Sequence, residues 1–256
     1  MKFANVLLVF IPLSWIFGCD YLKEEDKTLG KELVVTCDPS PCAVAADGTS
    51  LRKVTVKLSS EDSEFVVDPA NKTLTVYVSR GVIPYISKTE TPRTATLELN
   101  QEKEAYFFVK SDLFPGPVQV LVEYKKNIID DFISFERVCP DMILLSTTGP
   151  RIFSPGDKTA SLQLTAVPRL EEQSETGSQP SAEQTYEFEL RRKDGNAALS
   201  AGFLSAAIVP SDSKNILTST YSPGPDPGSV DIVVKTVCDG VTVESVPVDL
   251  TITAPQ

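Results

Sequence analysis

Five cysteines and no histidine limit the chemistry this chain can perform. Without imidazole there is no Ser-His-Asp or Cys-His arrangement, no histidine-containing zinc site and no imidazole acid–base step. Carboxylates and lysines remain. Asp226, Asp231 and Asp239 lie close in sequence but lack the spacing of a calcium loop. Glu24-Glu25-Asp26 and Glu171-Glu172 are charge runs that read as solvated surface. Asn71-Lys72-Thr73 has the form of a glycosylation acceptor. A Cys-x₄-Cys pair such as Cys37 and Cys42, with no histidine nearby, lacks the usual zinc spacing. No catalytic residue, metal ligand or cofactor is expected. A hydrolase working through carboxylates alone is the remote alternative, and it would need paired acids in a deep pocket.

Cys19 stands apart from the other cysteines. It ends a stretch with a basic start, Lys2, and an apolar run from Val6 to Phe17 broken only by Pro12 and Ser14. That run is shorter than the roughly 20 apolar residues that cross a bilayer. An ordinary signal peptide places small residues at both cleavage-site positions; Gly18 satisfies one, and Ile16 is too large for the other. Ile16-Phe17-Gly18-Cys19 resembles the bacterial lipoprotein signal: a branched aliphatic, a variable residue, a small residue, then cysteine. The resemblance implies that residues 1–18 are removed and that Cys19 carries a diacylglycerol thioether and an acylated amine. Two or more acyl chains hold a protein stably on a membrane where one does not. Residues 19–30 then form a charged tether. A chance match becomes the better account of Asn71-Lys72-Thr73 in such a chain.

The side of the envelope is less sharply marked. Asp20 after the cysteine resembles an inner-membrane retention signal of enteric bacteria, and Lys23-Glu24-Glu25 resembles surface-export signals of another group. The outer membrane or cell surface is the expectation. Removing residues 1–18, whose one charged side chain is Lys2, takes the formal net charge from −11 to −12. An acidic surface argues against a nucleic-acid partner.

The elements beyond the tether follow a period of two. Val54, Val56 and Leu58 alternate with Thr55 and Lys57, and the same pattern returns in residues 73–78, 94–99 and 118–124. Residues 105–109 are apolar at every position and predict a strand buried on both faces, with Tyr106, Phe107 and Phe108 in the core. Asp68-Pro69-Ala70-Asn71, Asn100-Gln101-Glu102 and Pro115-Gly116-Pro117 read as turns, and Lys125-Lys126-Asn127 as a hairpin tip. Short alternating strands at near-regular spacing predict an all-β antiparallel sandwich.

The pattern repeats. A shift of about 108 residues carries Val44, Gly48, Val54, Val56 and Leu58 onto Ile152, Gly156, Leu162, Leu164 and Ala166. Pro115-Gly116-Pro117 is echoed by Pro223-Gly224-Pro225, and near the end Val118, Val120 and Val122 match Val230, Ile232 and Val234 at a shift of about 112. This predicts tandem domains over residues 31–138 and 139–256. Residues 169–184 are too polar to bury and predict a flexible loop. In the strand that comes next, Tyr186, Phe188 and Leu190 point inward and Glu187 and Glu189 outward. Residues 196–208 fit a helical turn or a strand.

Ala45-Ala46-Asp47-Gly48-Thr49-Ser50 leading into an alternating strand, then Ala95-Thr96-Leu97-Glu98-Leu99-Asn100, then Gly116 before Val118-Gln119-Val120, resembles the bacterial immunoglobulin-like domains of the invasin and intimin type. The likeness is fullest in residues 31–138; in the second copy Pro155-Gly156-Asp157 replaces the Ala-Asp-Gly turn. In such a sandwich the first strand starts at the end that carries the loop between the last two strands. Cys139, before the first strand of domain two, is therefore expected to pair with Cys238, at its last hairpin, and Cys37 with Cys42 across Pro39 and Pro41. The resemblance implies a non-catalytic, lipid-anchored envelope protein that uses its domains for adhesion or as a spacer. Its partner would be a protein or glycan, met first by domain two and by the 169–184 loop. A periplasmic scaffold subunit of a larger complex is the alternative.

Overall fold

A computed structural model describes residues 33–58, 72–84, 93–124, 127–171, 178–195 and 200–254. Cys19, the signal and the tether lie outside the described residues, as do Asn71, Lys125, Lys126 and residues 172–177 and 196–199. The described chain is all-β and forms two sandwiches in series, each around its own core.

In the first sandwich, β1 (Leu33–Asp38), β3 (Leu51–Leu58) and β6 (Glu104–Lys110) form an antiparallel sheet in the order β1-β3-β6. It faces a five-stranded sheet of β2 (Ala43–Ala45), β8 (Asn127–Glu136), β7 (Gly116–Tyr124), β4 (Thr73–Val78) and β5 (Thr94–Glu98), in that order. Side chains two apart share a face of a strand, so the alternation read in the sequence becomes burial. Val54, Val56, Leu74, Val76, Val118, Val120 and Phe107 meet in one core, each burial worth about 1.5–3 kcal/mol. β1 and β2 lie in opposite sheets. The chain crosses between them through cis Asp38–Pro39 and cis Ser40–Pro41 peptides, and the Cys37–Cys42 disulfide spans the crossing. β2 then runs parallel to β8 at its edge.

The second sandwich repeats this plan. β13 (Gly202–Leu204), β15 (Leu217–Pro223), β11 (Leu162–Arg169) and β9 (Met142–Thr148) form one sheet in that order. The other runs β10 (Ile152–Phe153), β18 (Val248–Ile252), β16 (Gly228–Cys238), β12 (Thr185–Arg192) and β14 (Ile208–Pro210), and β17 (Val241–Glu244) also pairs with β16. β17 and β18 behave as one strand broken by a bulge. Lys235 pairs with Glu244 but Ile232 with Val248, one residue out of step. Buried Ser245 fills the break, donating its N–H to Val234 O at 2.8 Å and accepting the Val234 N–H on its hydroxyl at 3.0 Å.

The repeat differs from its reading in sequence at two places. β10, like β2, lies parallel to the last strand of its sandwich. Its buried residue is Phe153, while Ile152 is 68% exposed, so Phe153 takes the place of Val44. The glycine that corresponds to Gly116 is Gly228, since each opens, with positive φ, the strand that pairs antiparallel with the last one of its sandwich. Pro223-Gly224-Pro225 instead ends β15.

Residues 105–109 also depart from expectation. β6 alternates like the other strands: Ala105, Phe107 and Val109 face the core, while Tyr106 is 61% exposed and Phe108 half-buried. The three-stranded sheet has no layer on its outer side among the described residues. Of residues 196–208, Gly202–Leu204 form an edge strand, and β14 begins at Ile208.

Candidate functional site

The turn at Asp47 is densely bonded. Asp47 Oδ1 accepts the N–H groups of Thr49 at 2.8 Å and Ser50 at 2.7 Å and the Ser111 hydroxyl at 3.2 Å. Oδ2 accepts the Ser50 hydroxyl at 2.7 Å. Burial alone would raise the pKa of this carboxyl, but the hydrogen bonds from Ser50 and Thr49 outweigh it and hold it below the usual value. Gly48 comes next with φ of 78°, which favours glycine. In the second sandwich the acid sits on the other side of the glycine and does the same work. Asp157 Oδ1 accepts Thr159 N–H at 2.8 Å and Ala160 N–H at 3.3 Å.

The backbone carbonyl of Asp47 reaches across to the second sandwich, where it accepts the Gln179 N–H at 3.1 Å. This overturns the expectation of a flexible loop for residues 178–184. Ser181 and Ala182 are fully buried and Gln184 nearly so. Composition misleads here because the first sandwich supplies partners for Ser178, Gln179, Ser181 and Ala182, and Ser211 of the second supplies them for the backbones of Glu183 and Gln184.

Both expected disulfides are present. Cys37 bonds Cys42, and Cys139 bonds Cys238. Asp239 and Gly240, with φ of 49° and 80°, make the two-residue turn between β16 and β17 and place Cys238 against the chain entering β9. Cys139, Cys238 and the Asp239 carboxylate are the one cluster of metal-type ligand atoms among the described residues. Its sulfurs are bonded to each other, so neither is the thiolate that a metal needs.

Glu187 and Glu189 point outward as expected, into a ladder of charge. Glu189 Oε2 accepts from Arg191 at 2.9 Å and Lys235 at 2.8 Å, and Arg191 also forks onto both Glu244 oxygens at 2.7 and 2.8 Å. Val233, opposite Glu189 on β16, is fully buried. The bonds from Arg191 and then Lys235 hold the Glu189 carboxyl down at about 2. A carboxyl lowered by folding adds stability that is fully present above its unfolded pKa and is lost as pH falls through the folded one. Glu189→Gln is therefore expected to cost about 1 kcal/mol at neutral pH, in the range of partly exposed ion pairs. The gap from wild type should close between about pH 4.5 and 2 in denaturation curves.

Among Asp226, Asp231 and Asp239, Asp231 alone is paired with another acid. It lies opposite Asp249 on β18, and Lys193 bridges them, 3.3 Å from Asp231 Oδ1 and in contact with Asp249. Burial, then the neighbouring Asp249, raises the Asp231 pKa, while Asp231 and Lys193 lower that of Asp249. This pair lies on an open sheet face, with the Asp249 side chain 70% exposed, rather than in a deep pocket. Asp226 instead accepts the Ser200 N–H at 2.7 Å. A cleft of about 180 Å³ lies beside the loop, lined by Val167, Pro168, Arg169, Gln179, Lys214, Asn215 and Ile216, without a carboxylate among them.

On the first sandwich, Lys53 Nζ sits 4.8 Å from the centre of the exposed Tyr106 ring, which meets Phe108 edge-on at 6.2 Å. The period-two signal was available in residues 104–110, but apolar side chains on the solvent face concealed it.

No family model matches the chain, and no curated protein matches it. Solved structures do. The Yersinia pseudotuberculosis adhesin InvE aligns with 88% of this chain at 12% identity and a TM-score of 0.55. Yersinia pseudotuberculosis InvD (14% identity, 88% of this chain, 58% of its own, TM-score 0.42) and the D0-D1 domain of intimin (17%, 85%, 97%, 0.30) align more loosely. The chain spans 60% of the length of InvE. Over 88% of this chain the two sandwiches share the immunoglobulin-like fold of the bacterial adhesin InvE.

Proposed function

We propose that this chain is a non-catalytic, lipid-anchored envelope protein that holds two immunoglobulin-like domains away from a membrane for adhesion to a protein or glycan. The observation that carries the reading is the adhesin-like fold over 88% of the chain, with one disulfide closing within each sandwich. The lipoprotein-like Ile16-Phe17-Gly18-Cys19 supports attachment through Cys19. Disulfides support an oxidising compartment. The outer membrane or cell surface is the proposed address, with the second sandwich farther from the lipid than the first.

Cys19→Ala is expected to move the protein from the membrane fraction to the soluble fraction, since two or more acyl chains supply the attachment. Protease added to intact cells should remove the wild-type domains. Survival of the wild-type protein under protease would favour a periplasmic scaffold, and membrane retention of Cys19→Ala would end the lipid reading.

A further inference from the structure

The end of the second sandwich that faces the first is built from three loops. They are residues 178–184 before β12, residues 211–216 before β15, and the Asp239-Gly240 turn after β16. The first two are bonded together: Ser211 N–H donates to Gln184 O at 2.8 Å, Glu183 N–H to Ser211 O at 3.0 Å, and Asn215 Nδ2 to Pro180 O at 2.8 Å. The third is fixed to the interdomain linker by Cys139–Cys238. In antibody variable domains, the loops after the second strand and between the last two are among those that take antigen.

Here those positions are spoken for. Ser181 is the centre of the contact. Its hydroxyl donates to Ala46 O at 2.8 Å and accepts the Val138 N–H at 2.8 Å, and its own N–H donates to Val138 O at 3.0 Å. One buried residue of the second sandwich thus ties the turn after β2 to the linker after β8. On either side, Gln179 N–H donates to Asp47 O at 3.1 Å and Ala182 N–H to Leu113 O at 2.7 Å, while the Ser178 and Thr49 hydroxyls share a bond of 2.6 Å. Leu113 packs in turn against Gly48, where an added Cβ would meet Leu113 Cδ2 at 3.2 Å.

We propose that residues 178–184 are an interdomain strut, and that the loop end of the second sandwich is a receptor for the first sandwich rather than for an outside ligand. The two domains then move as one body, and an external partner must use other surfaces. Backbone-to-backbone bonds across the contact make it insensitive to most side-chain changes, but Ser181 has no substitute. Only a small side chain fits a site with no exposed surface, and only a hydroxyl can donate to Ala46 and accept from Val138 at once.

Hydrogen exchange on the full chain tests this without reference to anchoring or to a ligand. The amides of Val138, Gln179, Ser181 and Ala182 are expected to be protected like those of the strands. Ser181→Ala should speed exchange at these amides by about tenfold, the effect of losing two hydrogen bonds, while β7 and β12 keep their protection and show that both sandwiches remain folded. Thr49→Val, which removes the bond to Ser178, should speed exchange at Gln179 by a smaller factor. Free-loop exchange at these amides in the wild type would overturn the proposal. So would a Ser181→Ala variant indistinguishable from wild type, or wild-type small-angle scattering that requires many interdomain orientations.

Discussion

With Cys139 and Cys238 both replaced by alanine, the second sandwich is expected to lose about 4 kcal/mol of stability, the larger of the two disulfide effects in this chain. The bond joins residues 99 apart in sequence, so it removes from the unfolded chain the freedom of nearly the whole domain. The Cys37–Cys42 bond spans a separation of 5, and the same chain-entropy reasoning gives it about 2 kcal/mol. Guanidinium denaturation of the two double variants should rank them in that order, and the melting transition of the second sandwich should fall by roughly 15 °C. Equal losses would mean that the long bridge acts through local packing at the linker instead of through chain entropy.

Asp47→Ala is expected to cost the first sandwich about 3 kcal/mol, because it leaves two backbone N–H groups and two serine hydroxyls of a half-buried turn without the buried carboxylate that accepts them. Asp157→Ala should cost less, about 1 kcal/mol, because its turn lies nearer water, which can replace the lost acceptor. The pH dependence has a definite sign. Asp47 has a lowered carboxyl pKa, so its contribution is present above the ordinary value of 3.8 and disappears as pH falls below it. Denaturation midpoints of both variants across pH 7 to 3 would show the Asp47→Ala gap narrowing at the acid end. A constant gap would assign the loss to backbone geometry rather than to the carboxylate.

Strands with one face in the core could be read from the chain because alternation reports burial directly. Val54, Val56, Leu58, Val118, Val120 and Val122 all lie where that alternation puts them. The same logic failed at Tyr106 and Phe108, since an apolar side chain on the outer face looks like a core residue until the third dimension shows what covers it. Residues 178–184 failed for the converse reason. Ser178, Gln179 and Ser181 look solvated by composition, and only the approach of residues 46–49 supplies the partners that half-bury the first two and bury Ser181 completely. Asp157 could have been matched to Asp47 by function, an acid two and three residues before N–H groups that need an acceptor, although its position relative to the glycine had changed. The Cys139–Cys238 bond was legible because the resemblance supplied a topology that places the chain entering a domain beside its last hairpin, and Cys37–Cys42 because Pro39 and Pro41 bend the chain between them.

The long disulfide also decides how the second sandwich would respond to mechanical tension. A pull between residues 33 and 254 enters this domain at Cys139 and crosses the sulfur bridge to Cys238. Everything enclosed by that bridge, from β9 through β16, is bypassed by the covalent path and cannot be drawn out. The load falls on the chain beyond Cys238, the β17–β18 segment along β16, and on the short parallel β10 at its edge. Under shear this domain can lengthen only by surrendering its last strand, while the joint at Ser181 lies outside the extensible part.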